Sequence, residues 1–188
     1  RPKTPSFVKD CIIFMRPHKT QEGIFRISPG MIITARLEEE IARGVPLLLA
    51  IEKLAALSPP KIVTHNEVAT LFKRFFSRLS EPLFSEDVTM ILDRMFLGSI
   101  PSADDVDDFA SRIVEACQSL PQGHLDVIVD LFCFLAEVAR SSDLNRMPSS
   151  NLATLISPSI FSFPPTLSPS HQVTSGTLFA RWMIDNSS

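Results

Sequence analysis

Most side chains that could do chemistry stand alone in this sequence. His18, His65, His124 and His171 are far apart in the 188-residue chain and show no zinc-ligand spacing. Each is expected to cap a helix, to lie at the surface or to hydrogen-bond. Cys11, Cys117 and Cys133 each sit inside an apolar run. An odd count without paired spacing predicts reduced, packed thiols and a cytosolic setting. No serine occupies a nucleophile elbow, and no glycine-rich loop could cradle the phosphates of a nucleotide. What remains is a loop arginine, which taken alone is usually a solvated surface charge. Arg26 follows Gly23-Ile24-Phe25 in a loop between two helical segments. Ile24 and Phe25 can anchor the backbone there and leave the guanidinium projecting, a planar and permanently charged fork suited to anionic oxygens. A protein with no evident machinery of its own could still lend this one residue to another protein's reaction.

The elements that must position Arg26 are helices. At 45% hydrophobic residues the chain has ample material for one sizeable core. The net charge of -3 exerts no global pull toward nucleic acid, so any anion-binding surface must be a local patch. No apolar run approaches the roughly 20 residues a membrane-spanning helix needs. The chain opens Arg1-Pro2 without methionine, which fits a domain cut from something longer.

Phe7, Val8, Cys11, Ile12 and Met15 follow the period of one helix face. Ser28-Pro29 reads as an N-cap and first-turn proline for a second helix ending near Gly44, with Glu38, Glu39 and Glu40 on its solvated face. A third segment runs from Val45 to Leu57. The clearest start is Thr64-His65-Asn66-Glu67, a capping box, and the buried stripe of Val68, Leu71, Phe72, Phe75, Phe76 and Leu79 follows it. Further helices are expected over Ser85–Phe96, Ala103–Leu120, Gln122–Arg140, Pro148–Ile156 and Val173–Ile184. The Ser157–Ser170 loop carries four prolines and is expected to be the most mobile stretch. Period-2 alternation is nearly absent, so the prediction is one all-α domain over residues 1–188.

Three motifs then occur in order. The first is Gln21-Glu22-Gly23-Ile24-Phe25-Arg26-Ile27-Ser28. The second runs from Asn66 through Lys73 to Ser80-Glu81-Pro82-Leu83. The third comprises Leu120-Pro121 with His124, then Asn145-Arg146-Met147, Asn151-Leu152-Ala153 and Ser157-Pro158. Together they resemble the Rho GTPase-activating (RhoGAP) family and span most of the chain.

That resemblance implies an all-helical bundle and a GTPase activator that is not itself an enzyme. Its partner would be a Rho-, Rac- or Cdc42-type small GTPase in the GTP-bound state. It implies that Arg26 is an arginine finger supplied in trans, while GTP and Mg²⁺ belong to the partner and this chain needs no cofactor or metal. Lys73 and Asn151 match family positions on the GTPase-binding face. The implied location is cytoplasmic, with any membrane recruitment left to domains outside this chain. Where the family pattern has an arginine four residues after that lysine, bracing the finger loop, this chain has Ser77. Arg78 lies about 100° further round the helix and cannot substitute; Arg74 is the better-placed support. This departure keeps a second reading open, a RhoGAP-fold interaction module that binds without efficient stimulation.

Overall fold

Helical periodicity turns into a bundle of helices in the computed structural model, which describes residues 4–96 and 106–187. The helices are α1 (Ser6–Met15), α2 (Met31–Ala42), α3 (Leu47–Ala55), α4 (His65–Ser77), α5 (Glu86–Phe96), α6 (Val106–Cys117), α7 (Gln122–Ala139), α8 (Ser142–Asn145), α9 (Ser149–Ile160) and α10 (Pro169–Asn186). A 3₁₀ turn at Arg16–His18 extends α1. Among the described residues there is no strand, only an isolated parallel bridge between Phe84 and Phe161. The expected start of the sixth helix, Ala103 to Asp105, lies outside the described residues.

The most extensive helix contact is between α9 and α10, and α7 packs on both. On the other side α4 packs on α9, α1 and α2, so it sits centrally next to the segment carrying Arg26. Of the stripe read from the sequence, Val68, Leu71, Phe72 and Phe76 are buried, while Phe75 and Leu79 are half-buried against the core. Phe72 meets Phe76 and Phe134 edge-on, with ring centroids 5.1 and 6.4 Å apart, a geometry that adds to the burial term. A second aromatic cluster, Phe96 with Phe109, Phe179 and Trp182, joins α5, α6 and α10. Cys11 and Cys117 are buried and Cys133 half-buried, all unpaired. Burial pushes the Cys11 thiol well above its ordinary value and the Cys117 thiol up to about 11, so both stay protonated and act as packing groups.

Three local expectations need correction. Ser28 does not cap α2. The N-cap is Gly30, with no side-chain cap bond. Starting at Ser28 would place Gly30 inside the first turn at about 1 kcal/mol, whereas glycine is acceptable at the cap itself. The glutamates of α2 are not all merely solvated, since Glu38 and Glu40 both make ion pairs. Lastly, the proline-rich loop is short and pinned. Helix α9 runs through Pro158 to Ile160, and α10 already begins at Pro169 with Ser168 as its cap. Between them, Phe84 N–H donates to the Ile160 carbonyl at 2.9 Å and Ser162 N–H to the Phe84 carbonyl at 3.2 Å.

Candidate functional site

The Arg26 loop is built from local turns held at fixed points. Arg16 forms a two-pronged pair with Glu137 of α7, at 3.0 and 3.1 Å, just before the loop begins. Gly23 then accepts at its carbonyl from the N–H groups of both Arg26 (2.8 Å) and Ile27 (2.9 Å). Gly23 has φ +75°, in the left-handed region, where a side chain would be strained. A Cβ there would also meet the Ile27 side chain at 2.7 Å, because Ile27 folds back over this glycine.

Phe25 carries the sharpest feature of the loop. It is a non-glycine residue at φ +68°, a conformation costing on the order of 1–3 kcal/mol. Its surroundings compensate. The ring is buried with centroids 6.1 Å from both Phe72 of α4 and Phe134 of α7. Its carbonyl accepts from the Lys73 ammonium at 2.7 Å. The backbone reversal at Phe25 leaves Ile24 and Phe25 inside and the next residue, Arg26, exposed. Among the described residues no acceptor holds the Arg26 guanidinium.

Lys73 is therefore placed inward, on the loop, rather than free on the helix surface. Burial lowers its pKa from the ordinary lysine value. The hydrogen bond to a carbonyl dipole is the partner this half-buried cation has. Asn151, by contrast, is exposed at the third position of α9.

The other two expected supports do not reach the loop. Ser77 donates its hydroxyl to the Arg74 carbonyl of its own helix at 3.0 Å. Arg74 pairs with Glu38 of α2 at 3.0 Å, and Arg78 joins the same carboxylate at 3.1 Å. Arg74 is engaged by the full negative charge of Glu38 on the neighbouring helix, and its hydrogen bond goes there rather than to the loop. Arg74 thus steadies α2, the helix into which the loop runs, and braces the finger segment only indirectly.

The support that sequence reasoning missed is Asn145. It is fully buried. Its amide donates to the Lys19 carbonyl at 2.7 Å and the Val138 carbonyl at 2.8 Å, and its side-chain oxygen accepts from Met147 N–H at 2.7 Å. Its backbone carbonyl accepts from Gly23 N–H at 2.8 Å. One residue thereby ties the loop's base to α7 and to the strap leading into α9, where Asn151 lies. The available signal was an uncharged polar residue between an exposed leucine and a buried methionine in Leu144-Asn145-Arg146-Met147. Sequence alone does not say which asparagine is buried.

The remaining histidines are structural. His124 Nδ1 lies 3.0 Å from the Leu83 carbonyl. His171 and Ser175 of α10 both reach one oxygen of the buried Asp93 on α5, at 2.9 and 2.7 Å. His18 stacks on His65 with centroids 5.4 Å apart, next to the start of α4.

Known proteins place this geometry in context. The profile of the RhoGAP domain matches residues 5–165. Human Rho GTPase-activating protein 4 is 29% identical over 164 residues, covering 85% of this chain and 16% of that protein. GTPase-activating protein pac-1 of Caenorhabditis elegans is 26% identical, covering 83% of this chain and 9% of that protein. The chain thus spans a small part of these relatives. The crystal structure of human Rho GTPase activating protein 15 superposes with a TM-score of 0.83 at 20% identity, over 98% of this chain and 82% of that one. The BH domain of GRAF, the GTPase regulator associated with focal adhesion kinase, gives 0.73 at 17% identity, over 97% and 91%. At these identities the two structures establish the shared all-helical fold.

Proposed function

Because the chain belongs to the RhoGAP family, we propose that it accelerates GTP hydrolysis by a Rho-type small GTPase, with Arg26 entering the partner's nucleotide site. The observation that carries this reading is an exposed, unpaired arginine on a loop whose backbone is locked one residue earlier. As water attacks the γ-phosphate in line, charge spreads over the phosphoryl oxygens, and an arginine supplied in trans meets it with several fixed donors. Such a finger is worth ~10³–10⁵ in rate, or roughly 4–7 kcal/mol of barrier. GTP, Mg²⁺ and the attacking water are the partner's contribution, and this chain needs no cofactor of its own.

Within this reading Lys73 acts through the loop. By holding the Phe25 carbonyl it keeps Arg26 directed outward, so the flexible guanidinium starts near its working position rather than searching for it. Asn145 does the same at the loop's base. Asn151, exposed on α9, is free to contact the GTPase. The setting is cytoplasmic, with any membrane recruitment left to flanking segments.

A second reading, binding without efficient stimulation, draws on Ser77 and Arg74, neither of which touches the loop. Single-turnover hydrolysis on a panel of Rho-type GTPases separates the two. Stimulation by wild type supports the activator. Tight binding of GTPases with unchanged hydrolysis supports the binder.

A further inference from the structure

Directly after Arg26 the chain exposes three large apolar side chains, Ile27 folded over Gly23 yet half open and Met31 and Ile32 outside the helix packing. Ile27 is 46% exposed, Met31 81% and Ile32 72%. Helix α2 buries Thr34 and Leu37 and rests Ile33 and Ile41 against the core, so its inward face is complete without Met31 and Ile32. Met31 and Ile32 stand instead on the outward side of its first turn, and no charge precedes Arg36 along that side. Three exposed large hydrophobics within six residues, beside an unpaired arginine, mark a surface meant to be covered.

We infer that Ile27, Met31 and Ile32 form an apolar docking patch for the same GTPase that receives Arg26, seated on apolar surface flanking the mouth of its nucleotide site. The inference rests on the function proposed above, and continuity with Arg26 identifies the occupant. A specific protein–protein contact buries about 800 Å² on each partner, a disc of roughly 16 Å radius. Four residues lie between Arg26 and Met31, so five Cα-to-Cα steps, at most about 17 Å if fully extended, join them, and the first of those steps still lies in the turn closed on Gly23. A partner that buries Arg26 near the middle of such a contact therefore covers the patch as well. Methionine and isoleucine here supply desolvation, which favours association in the ground and transition states alike. The finger supplies charge used chiefly in the transition state. The two elements should separate cleanly in kinetics.

The test is a titration of activator against the GTPase that wild type stimulates best, under single-turnover conditions. Met31→Ser/Ile32→Ser should raise the half-maximal activator concentration tenfold or more, while the rate at saturation stays within twofold of wild type. Ile32→Glu should act in the same direction; an acidic side chain in a helix's first turn is tolerated by the fold, so it guards against loss through unfolding. Arg26→Ala should show the converse, a collapsed saturating rate with the GTPase affinity retained. If both patch variants titrate like wild type while Arg26→Ala is inactive, the patch inference falls and the functional reading stands. If wild type stimulates no Rho-type GTPase, both fall. A wild-type dimer that the patch variants dissolve would assign the surface to self-association and overturn the inference.

Discussion

Asn145→Ala is the perturbation whose size follows most directly from the structure. It strips the partner from the Lys19 carbonyl and from the Met147 N–H, while the Val138 carbonyl keeps its bond from Ser141 N–H at 3.0 Å. Each buried polar group left unpaired costs about 1–3 kcal/mol. Because Asn145 is fully buried, water can relieve this only by occupying the small space the side chain leaves. The lower half of the range is therefore the better guide, about 2–4 kcal/mol for the two groups together. Against a typical total stability of 5–15 kcal/mol this is a large fraction. For a chain of this size it corresponds to a drop of roughly 10 °C in Tm. The loss should also reach the Arg26 loop, since Lys19 and Gly23 both bond to Asn145. Below the new melting range, the saturating rate of GTPase stimulation should fall more than affinity does. Urea melts followed by far-UV circular dichroism give the first number and single-turnover hydrolysis the second. Asn145→Asp should be no milder, because it turns a donor toward two carbonyls into an acceptor. A loss below 1 kcal/mol for Asn145→Ala would refute the idea that this residue is the loop's buried tether.

Other substitutions test the assignment of faces. Phe72→Ala should cost about 3–5 kcal/mol in chemical melts, since it empties the pocket between Phe25, Phe76 and Phe134. Lys73→Met should cut the saturating stimulation while leaving α4 folded, and a rate equal to wild type would remove Lys73 from the loop's support. Lys73 also predicts a pH signature: its folded pKa is lowered by burial, so between that value and the ordinary one near 10.4 the unfolded chain holds more protons. Across that alkaline window wild type should gain stability relative to Lys73→Met as pH rises, a trend read from paired melts. Arg74→Ala should change stability by less than about 1 kcal/mol and stimulation little, because it breaks a partly exposed pair with Glu38; a large drop in rate would restore it as a direct brace.

How much was legible follows from which forces are local. The helix faces were readable because burial recurs every 3.6 residues: Val8, Cys11, Ile12 and Met15 lie on the inner face of α1 as the period requires. The Thr64 box was readable because both halves of it lie within four residues. Thr64 N–H does donate to Glu67, at 2.8 Å, and Asn66 N–H to the Thr64 hydroxyl, at 3.2 Å. Pro158 misled because its local effect is to stop a helix. Pro158 and Thr154, whose carbonyl it leaves without a helical donor, both face outward, while the fully buried Ile160 rewards one more turn. The same loop assignment hid Ser168-Pro169, a cap and first-turn proline that start α10. The site divided along the same line. Arg26 and its apolar anchors Ile24 and Phe25 are adjacent in sequence and could be read together. Lys73 on Phe25, Arg74 on Glu38 and Asn145 on Lys19 span 48, 36 and 126 residues. Partners at such separations are chosen by the tertiary fold, which no local pattern encodes.

The most direct measurement is the single-turnover rate of GTP hydrolysis at saturating Arg26→Ala, beside GTPase binding by the same variant. Arg26 is exposed and unpaired, so its truncation should leave the melting curve and ground-state affinity within error of wild type. The saturating rate should fall by about 10³-fold or more, toward the GTPase's own. Arg26→Lys should fail nearly as badly, because a point charge lacks the planar fork. Wild-type stimulation by Arg26→Ala would contradict the account, and the loop held by Phe25, Lys73 and Asn145 would then present something other than a finger.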